Sequence, residues 1–141
     1  METKQKKLIT IQATINAPVE KVWKYWSEPQ HITKWAFASK DWHAPAAEND
    51  LKTGGKFSTT MAAKDGSFSF EFGGVYDKVA QHKTINYTIA DGRKVETSFS
   101  GSDNETKIVQ SFEAEDQNSI DMQRGGWQSI LNNFKRYVES N

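Results

Sequence analysis

The 141-residue chain contains no cysteine. Disulfides, thiolate nucleophiles and cysteine-held metals are therefore excluded. It also lacks an excess of either charge, because 18 Lys and Arg balance 18 Asp and Glu. A nucleic-acid partner, which usually demands a basic face, is not expected. No apolar run approaches the roughly 18 residues that a membrane helix needs, and Met1–Gln5 shows no signal-peptide core. The expectation is a soluble, cytoplasmic protein with no membrane partner. The three histidines, His31, His43 and His82, fall in separate segments with no acidic neighbour at metal spacing, so no metal and no cofactor are expected. Gly66-Ser67-Phe68 does not complete a nucleophile elbow. Gly54-Gly55 lacks the Lys-Ser/Thr that a phosphate loop requires. Aromatic residues, by contrast, are plentiful at 12%, with five Trp and eight Phe. Such rings either fill a core or line a cavity.

Periodicity divides the chain. Residues 8–15 alternate Leu8, Ile9, Ile11, Ala13 and Ile15 with polar neighbours, the period of a half-buried strand. Residues 1–7, with Lys4, Lys6 and Lys7, read as a frayed basic tail. Pro18 suits the first turn of a helix, and Val19, Val22, Trp23 and Trp26 recur at helical spacing. Pro29 opens a second short helix carrying Ile32 and Trp35. Residues 36–50 have no period and read as a long loop or an irregular edge strand. Alternation resumes after Gly54-Gly55, where a bend or bulge is expected. Strands follow around Phe57–Met61, Phe68–Phe72, Ile85–Ile89, Val95–Phe99 and Ile108–Phe112. Asp65-Gly66 and Asp91-Gly92 are hairpin signals between them. Trp127, Ile130, Leu131, Phe134 and Val138 mark a long amphipathic helix capped by Asn118 or Ser119. Gly125-Gly126 lies inside it, at a cost of about 1 kcal/mol each, and suggests a kink or a close approach to the sheet. Asn132, Lys135, Arg136 and Glu139 form its solvated stripe.

The resulting order is one strand, two helices, about six strands and one helix. It predicts a single α+β domain over residues 1–141, in which a curved antiparallel sheet of six to seven strands wraps the C-terminal helix. Alternation and helical period turn Trp35, Phe57, Met61, Phe70, Phe72, Tyr87, Phe99 and Trp127 inward. They either pack a core or line a space. Gln110 sits among them on an inward face. Gln123 and Arg124 lie one turn before Trp127, where a structural hydrogen bond or a solvated helix edge is the simpler reading. Glu71, between two phenylalanines, points to solvent.

Several stretches carry a resemblance. They are Ile15-Asn-Ala-Pro18-Val-Glu-Lys-Val22-Trp23, Asp50-Leu-Lys-Thr-Gly54-Gly55-Lys-Phe57, and Phe70-Glu-Phe-Gly-Gly74-Val-Tyr76-Asp-Lys-Val79. Ile85-Asn-Tyr87-Thr, Phe112-Glu-Ala-Glu115 and Gly126-Trp127-Gln-Ser-Ile130-Leu131 follow in order. Together they resemble the SRPBCC superfamily of START-like and birch-pollen-allergen-like helix-grip proteins. The branch they resemble most is similar to the C-terminal domain of the heat-shock chaperone ATPase activator. Two positions depart from that pattern: Ala17 replaces the usual Ser or Thr before Pro18, and Gln81 stands where a Pro is common. The resemblance implies a cavity between sheet and C-terminal helix, with Trp42-His43 in a loop over its mouth. The expectation that follows is a binding protein for a small apolar or amphipathic ligand. Its candidate ligand-binding residues are Trp35, Trp42, His43, Phe57, Met61, Phe70, Phe72, Tyr87, Phe99, Gln110, Gln123, Arg124 and Trp127. Two alternatives stand beside it. One is a co-chaperone-like activator of a chaperone ATPase, the other a cyclase-like enzyme, which would need His43, Arg124 or Glu71 to reach the cavity. A monomer or weak homodimer is expected.

Overall fold

A computed structural model describes residues 7–141. The elements run β1 (Leu8–Ile15), α1 (Val19–Ser27), α2 (Pro29–Trp35), β2 (Trp42–Asn49), β3 (Lys56–Ala63), β4 (Ser69–Ala80), β5 (Thr84–Ile89), β6 (Lys94–Ser102), β7 (Glu105–Glu113) and α3 (Ile120–Ser140). The seven strands form one antiparallel sheet in the order β1-β7-β6-β5-β4-β3-β2, curled as a half-barrel around α3. This is the α+β helix grip that the periodicity predicts. Most of the expected tail, with Lys4 and Lys6, lies outside the described residues. Lys7 is tied down, since its carbonyl accepts the Ala114 N–H at 2.8 Å.

The stretch without a period resolves as the edge strand β2, paired with β3 and shifted in register between His43 and Ala46. Pro45 lies in that shift. It has no N–H for the ladder, so an irregular edge position suits it. The turn after β2 closes on Gly54, at φ +86°. Gly54 donates to the Tyr76 carbonyl, and Gly55 accepts the Tyr76 N–H, so the turn is pinned to β4. Strand β4 continues through Gly73-Gly74, where a Cβ on Gly74 would lie 2.2 Å from the Thr88 carbonyl oxygen. That contact requires glycine.

Helix α3 begins at Ser119, whose hydroxyl accepts the Met122 N–H at 3.1 Å. Its buried face carries Leu131, Phe134 and Val138. The stripe expected to be solvated does more than that. Lys135 Nζ donates to the Thr14 carbonyl at 2.5 Å, and Glu139 accepts the Asn16 N–H at 2.9 Å. Gln128 adds a bond to the Gln12 carbonyl at 3.1 Å. These side chains cover β1, an edge strand whose free backbone groups would otherwise invite pairing. The Asn16 N–H, followed by Lys135, holds the Glu139 carboxyl below the usual carboxylate range.

Gly125 and Gly126 are not required by close packing, because a Cβ on either meets nothing within 4 Å. The expectation of a close approach to the sheet is therefore corrected. Gly125→Ala and Gly126→Ala should each stabilise the fold by about 0.5–1 kcal/mol through helix propensity and a less flexible unfolded chain. Gly74→Ala should destabilise it strongly. Thermal or denaturant unfolding of the three variants checks both signs.

Candidate functional site

Aromatic contacts hold helix α3 at two levels, against the sheet at one and against α1 and α2 at the other. At one, Trp127 lies flat on Phe112, with ring centroids 3.9 Å apart and planes 10° from parallel. The edge of Phe72 closes on the same indole at 5.8 Å. At the other, Phe134 meets Trp26 and Trp35 edge-on at 5.0 and 4.8 Å. Seven residues of helix separate the two supports, about 10 Å along the axis. Ile130 and Leu131 lie between them, and opposite them the sheet curves away.

A cavity of about 310 Å³ occupies this gap. From the sheet, Phe57, Thr59, Met61, Phe70, Phe72, Tyr76, Ile85, Tyr87 and Gln110 line it. From the helices come Trp26, Ile32, Trp35, Ala36, Trp127, Ile130 and Leu131, and the turn before β6 contributes Arg93. The wall is mostly hydrocarbon and aromatic ring, with a few polar groups set into it, the usual composition of a small-molecule pocket.

Those polar groups differ in how far the protein satisfies them. The Tyr76 hydroxyl donates to Asn49 Oδ1, and Asn49 in turn donates to the Ser27 carbonyl at 2.5 Å. That chain ties β4 to β2 and to the end of α1. Gln110 Nε2 bonds the buried Thr97 hydroxyl at 3.0 Å, while its amide oxygen has no partner among the described residues. The hydroxyls of Tyr87 and Thr59 likewise find none there, although both residues are more than nine-tenths buried. These atoms open onto the cavity, since among the described residues the one fully buried side-chain polar atom without a partner is Asn86 Oδ1, which does not line it; a ligand group in the space can bond to them. Burial pushes the ionisation of Tyr76 and Tyr87 well above the ordinary tyrosine range.

Eight of the residues expected at a ligand site therefore share this wall: Trp35, Phe57, Met61, Phe70, Phe72, Tyr87, Gln110 and Trp127. Five do not. Phe99 is buried, but packs against Trp23 and Trp26 on the side of the core away from the space. Trp42 lies in strand β2, not in a covering loop, and packs with Phe68 and Phe70 at the β3–β4 hairpin. His43 is exposed on the same edge strand. Arg124 is exposed and pairs with Asp121 at 3.3 Å. Gln123 is buried in a structural role. Its amide oxygen accepts the Glu115 N–H, and its nitrogen donates to the carbonyls of Glu115 and Asn118. It thereby clamps the loop between β7 and α3. Glu71 is exposed, as expected, so neither it, His43 nor Arg124 meets the geometric condition for a cyclase.

Sequence reasoning did not name Trp26, Ile32, Ala36, Thr59, Tyr76, Ile85, Arg93, Ile130 and Leu131 as wall residues. Trp26, Ile32 and Ile85 carried a signal, because each already sat on a hydrophobic period. Tyr76 carried one too, since it keeps the phase of Phe70 and Phe72 and precedes the register shift at Lys78, whereas Arg93, in a turn, carried none.

The model of the family described as activator of Hsp90 ATPase homolog 1-like protein matches residues 16–139. The chain belongs to this family. Solved relatives agree with the assignment. An activator-homologue-like protein from Aeromonas hydrophila is 40% identical with a TM-score of 0.89, over 95% of this chain and 93% of that one. A protein from Cytophaga hutchinsonii is 59% identical with a TM-score of 0.81, over 94% and 92%. One from Chromobacterium violaceum, 20% identical with a TM-score of 0.85 over 96% and 99%, shares the fold. No curated protein matches the chain.

The buried hydroxyls give a direct check on the cavity wall. A group whose folded pKa is raised contributes stability below its unfolded pKa, near 10 for tyrosine, and loses it as pH rises further. Tyr76 and Tyr87 should thus remain un-ionised while the native fold persists, and their ionisation should drive alkaline unfolding. Ultraviolet titration of phenolate absorbance, with Tyr87→Phe as reference, should show the Tyr87 step only together with loss of near-ultraviolet circular dichroism.

Proposed function

We propose that this protein binds a small, mostly apolar molecule in the cavity between the sheet and α3. The observation that carries the reading is an open 310 Å³ space walled mainly by apolar and aromatic side chains with a few polar groups set into it. A packed core would leave no such space. Burying apolar ligand surface against this wall yields about 25 cal/mol per Å², and the Tyr87 hydroxyl and Gln110 amide supply orientation. The volume lies at the small end of ligand pockets, which run from about 300 to 1,000 Å³. It suits a molecule of one or two fused rings better than a sterol or a long acyl chain.

Family membership supports a second reading, contact with a chaperone ATPase, since the matching family is named for that activity. It rests on fold-level likeness, which is a weaker warrant than a site. Stimulation of the cognate chaperone's ATPase by the purified protein would support it. Absence of both stimulation and binding at tens of micromolar would count against it.

The cavity reading is tested by filling the space. Ala36→Leu and Met61→Trp each add volume on the wall. Both should weaken binding of an apolar fluorescent probe about tenfold or more, a change of about 1.4 kcal/mol, while the unfolding temperature holds. Unchanged probe affinity in both variants would show that the probe binds elsewhere. Native mass spectrometry of protein purified from its own host would identify a co-purifying ligand.

A further inference from the structure

Among the described residues on the cavity wall, only Arg93 carries a formal charge. It also lines an adjoining recess of about 220 Å³ bounded by Glu115, Asn118, Met122, Gln123, Gly126 and Trp127. Arg93 and Trp127 are the two residues common to both spaces, so they stand at the junction between the apolar chamber and the recess.

The hairpin between β5 and β6 holds Arg93 in place. Its N–H donates to Asp91 Oδ1 at 3.0 Å, and its carbonyl accepts the Ile89 N–H at 2.9 Å. In the side chain, Nε donates to Asp91 Oδ2 at 2.8 Å and Nη1 to the Glu113 carbonyl at 3.1 Å. Two corners of the guanidinium are thus anchored, and Nη2 has no partner among the described residues. A guanidinium fixed in this way loses little freedom when it donates to a further anionic oxygen. The other polar groups of the recess are directed at their own loop. Glu115 Oε1 takes both the N–H and the side-chain nitrogen of Asn118, and Gln123 is spent on the Glu115 and Asn118 backbone. Met122 and Gln123, in the first turn of the 21-residue α3, place the positive end of its dipole beside the recess.

We infer that the ligand is a compact amphipathic molecule with one anionic group, a carboxylate or similar oxyanion, which Arg93 binds at the junction while the apolar body fills the aromatic chamber. This rests on the cavity reading above and adds the charge and direction of the ligand: apolar end toward Trp26 and Trp35, anionic end toward the start of α3.

A matched probe set separates the two claims. Naphthalene-2-acetate, its uncharged amide and the corresponding 2-ethylammonium share one apolar body and differ in charge. The acetate should bind at least about tenfold tighter than the amide, and the ammonium weakest. In Arg93→Gln the acetate should fall to the affinity of the amide. Because that variant loses the Asp91 and Glu113 contacts, Arg93→Lys and the wild type provide independent readouts. Arg93→Lys should retain part of the acetate preference. In the wild type, the Arg93 Nε–H resonance should shift with acetate and stay in place with amide. Equal binding of acetate and amide, a preference that survives Arg93→Gln, or an unmoved Arg93 resonance would overturn the role of Arg93 and leave the cavity reading standing. Failure of all three probes to bind would instead count against the cavity reading itself.

Discussion

The spacing of α3 from the sheet is the constraint on which the rest of the site depends. Two aromatic supports set it: Trp127 stacked on Phe112 of the sheet, and, further along the helix, Phe134 wedged against Trp26 of α1 and Trp35 of α2. Aliphatic residues at these positions would let the helix settle onto the strands, since packed interiors close voids larger than a water. Flat, rigid rings act as posts instead. They hold the helix off the sheet where Ile130 and Leu131 look across the gap, and the curl of the strands opens the space between. The polar bonds of α3 to β1 fix the helix along its length, and the Gln123 clamp fixes its start.

Given those posts, the chemistry of the wall follows from strand alternation. Residues Phe57, Thr59 and Met61 of β3 point to the same side as Phe70, Phe72 and Tyr76 of β4 and Ile85 and Tyr87 of β5. An inward position on a concave sheet that no helix side chain reaches must face the cavity. That explains how Thr59, Tyr87 and Gln110 can be deeply buried as residues and yet present polar atoms to the cavity. It also explains why Arg93 is the exception among the wall residues: it enters from a hairpin turn at the end of the sheet.

Much of the architecture was legible in the sequence because it rests on period. The alternation of residues 8–15, the Asp-Gly turns and the Trp127–Val138 stripe map onto β1, the hairpins and α3. Strand β2 was legible only as one of two readings, a long loop or an irregular edge strand, because an edge strand interrupted by Pro45 has neither alternation nor a complete ladder to decide between them. Within the site, the inward aromatics were legible one by one, but whether they touch or leave a space is set by the distance between elements, which alternation does not encode. Phe99 shows the difference. It has the same inward phase as the cavity residues, yet sits where Trp23 and Trp26 fill the interior. Arg93 follows a Gly at φ +93° in a turn, a position that hydrophobic pattern marks as surface. Gln123 and Arg124, adjacent on one helix, part company because one turns to the loop and the other to solvent.

Family membership establishes ancestry and fold; the cavity supports a function that the family description does not state. The central claim is that the aromatic posts hold open an apolar chamber. Cavities with largely apolar walls take up xenon, so diffraction from crystals pressurised with xenon tests the claim most directly. The account predicts a xenon peak enclosed by Leu131, Ile130, Phe57, Phe72 and Tyr87. Continuous side-chain density across that space, with no xenon bound under α3, would contradict it.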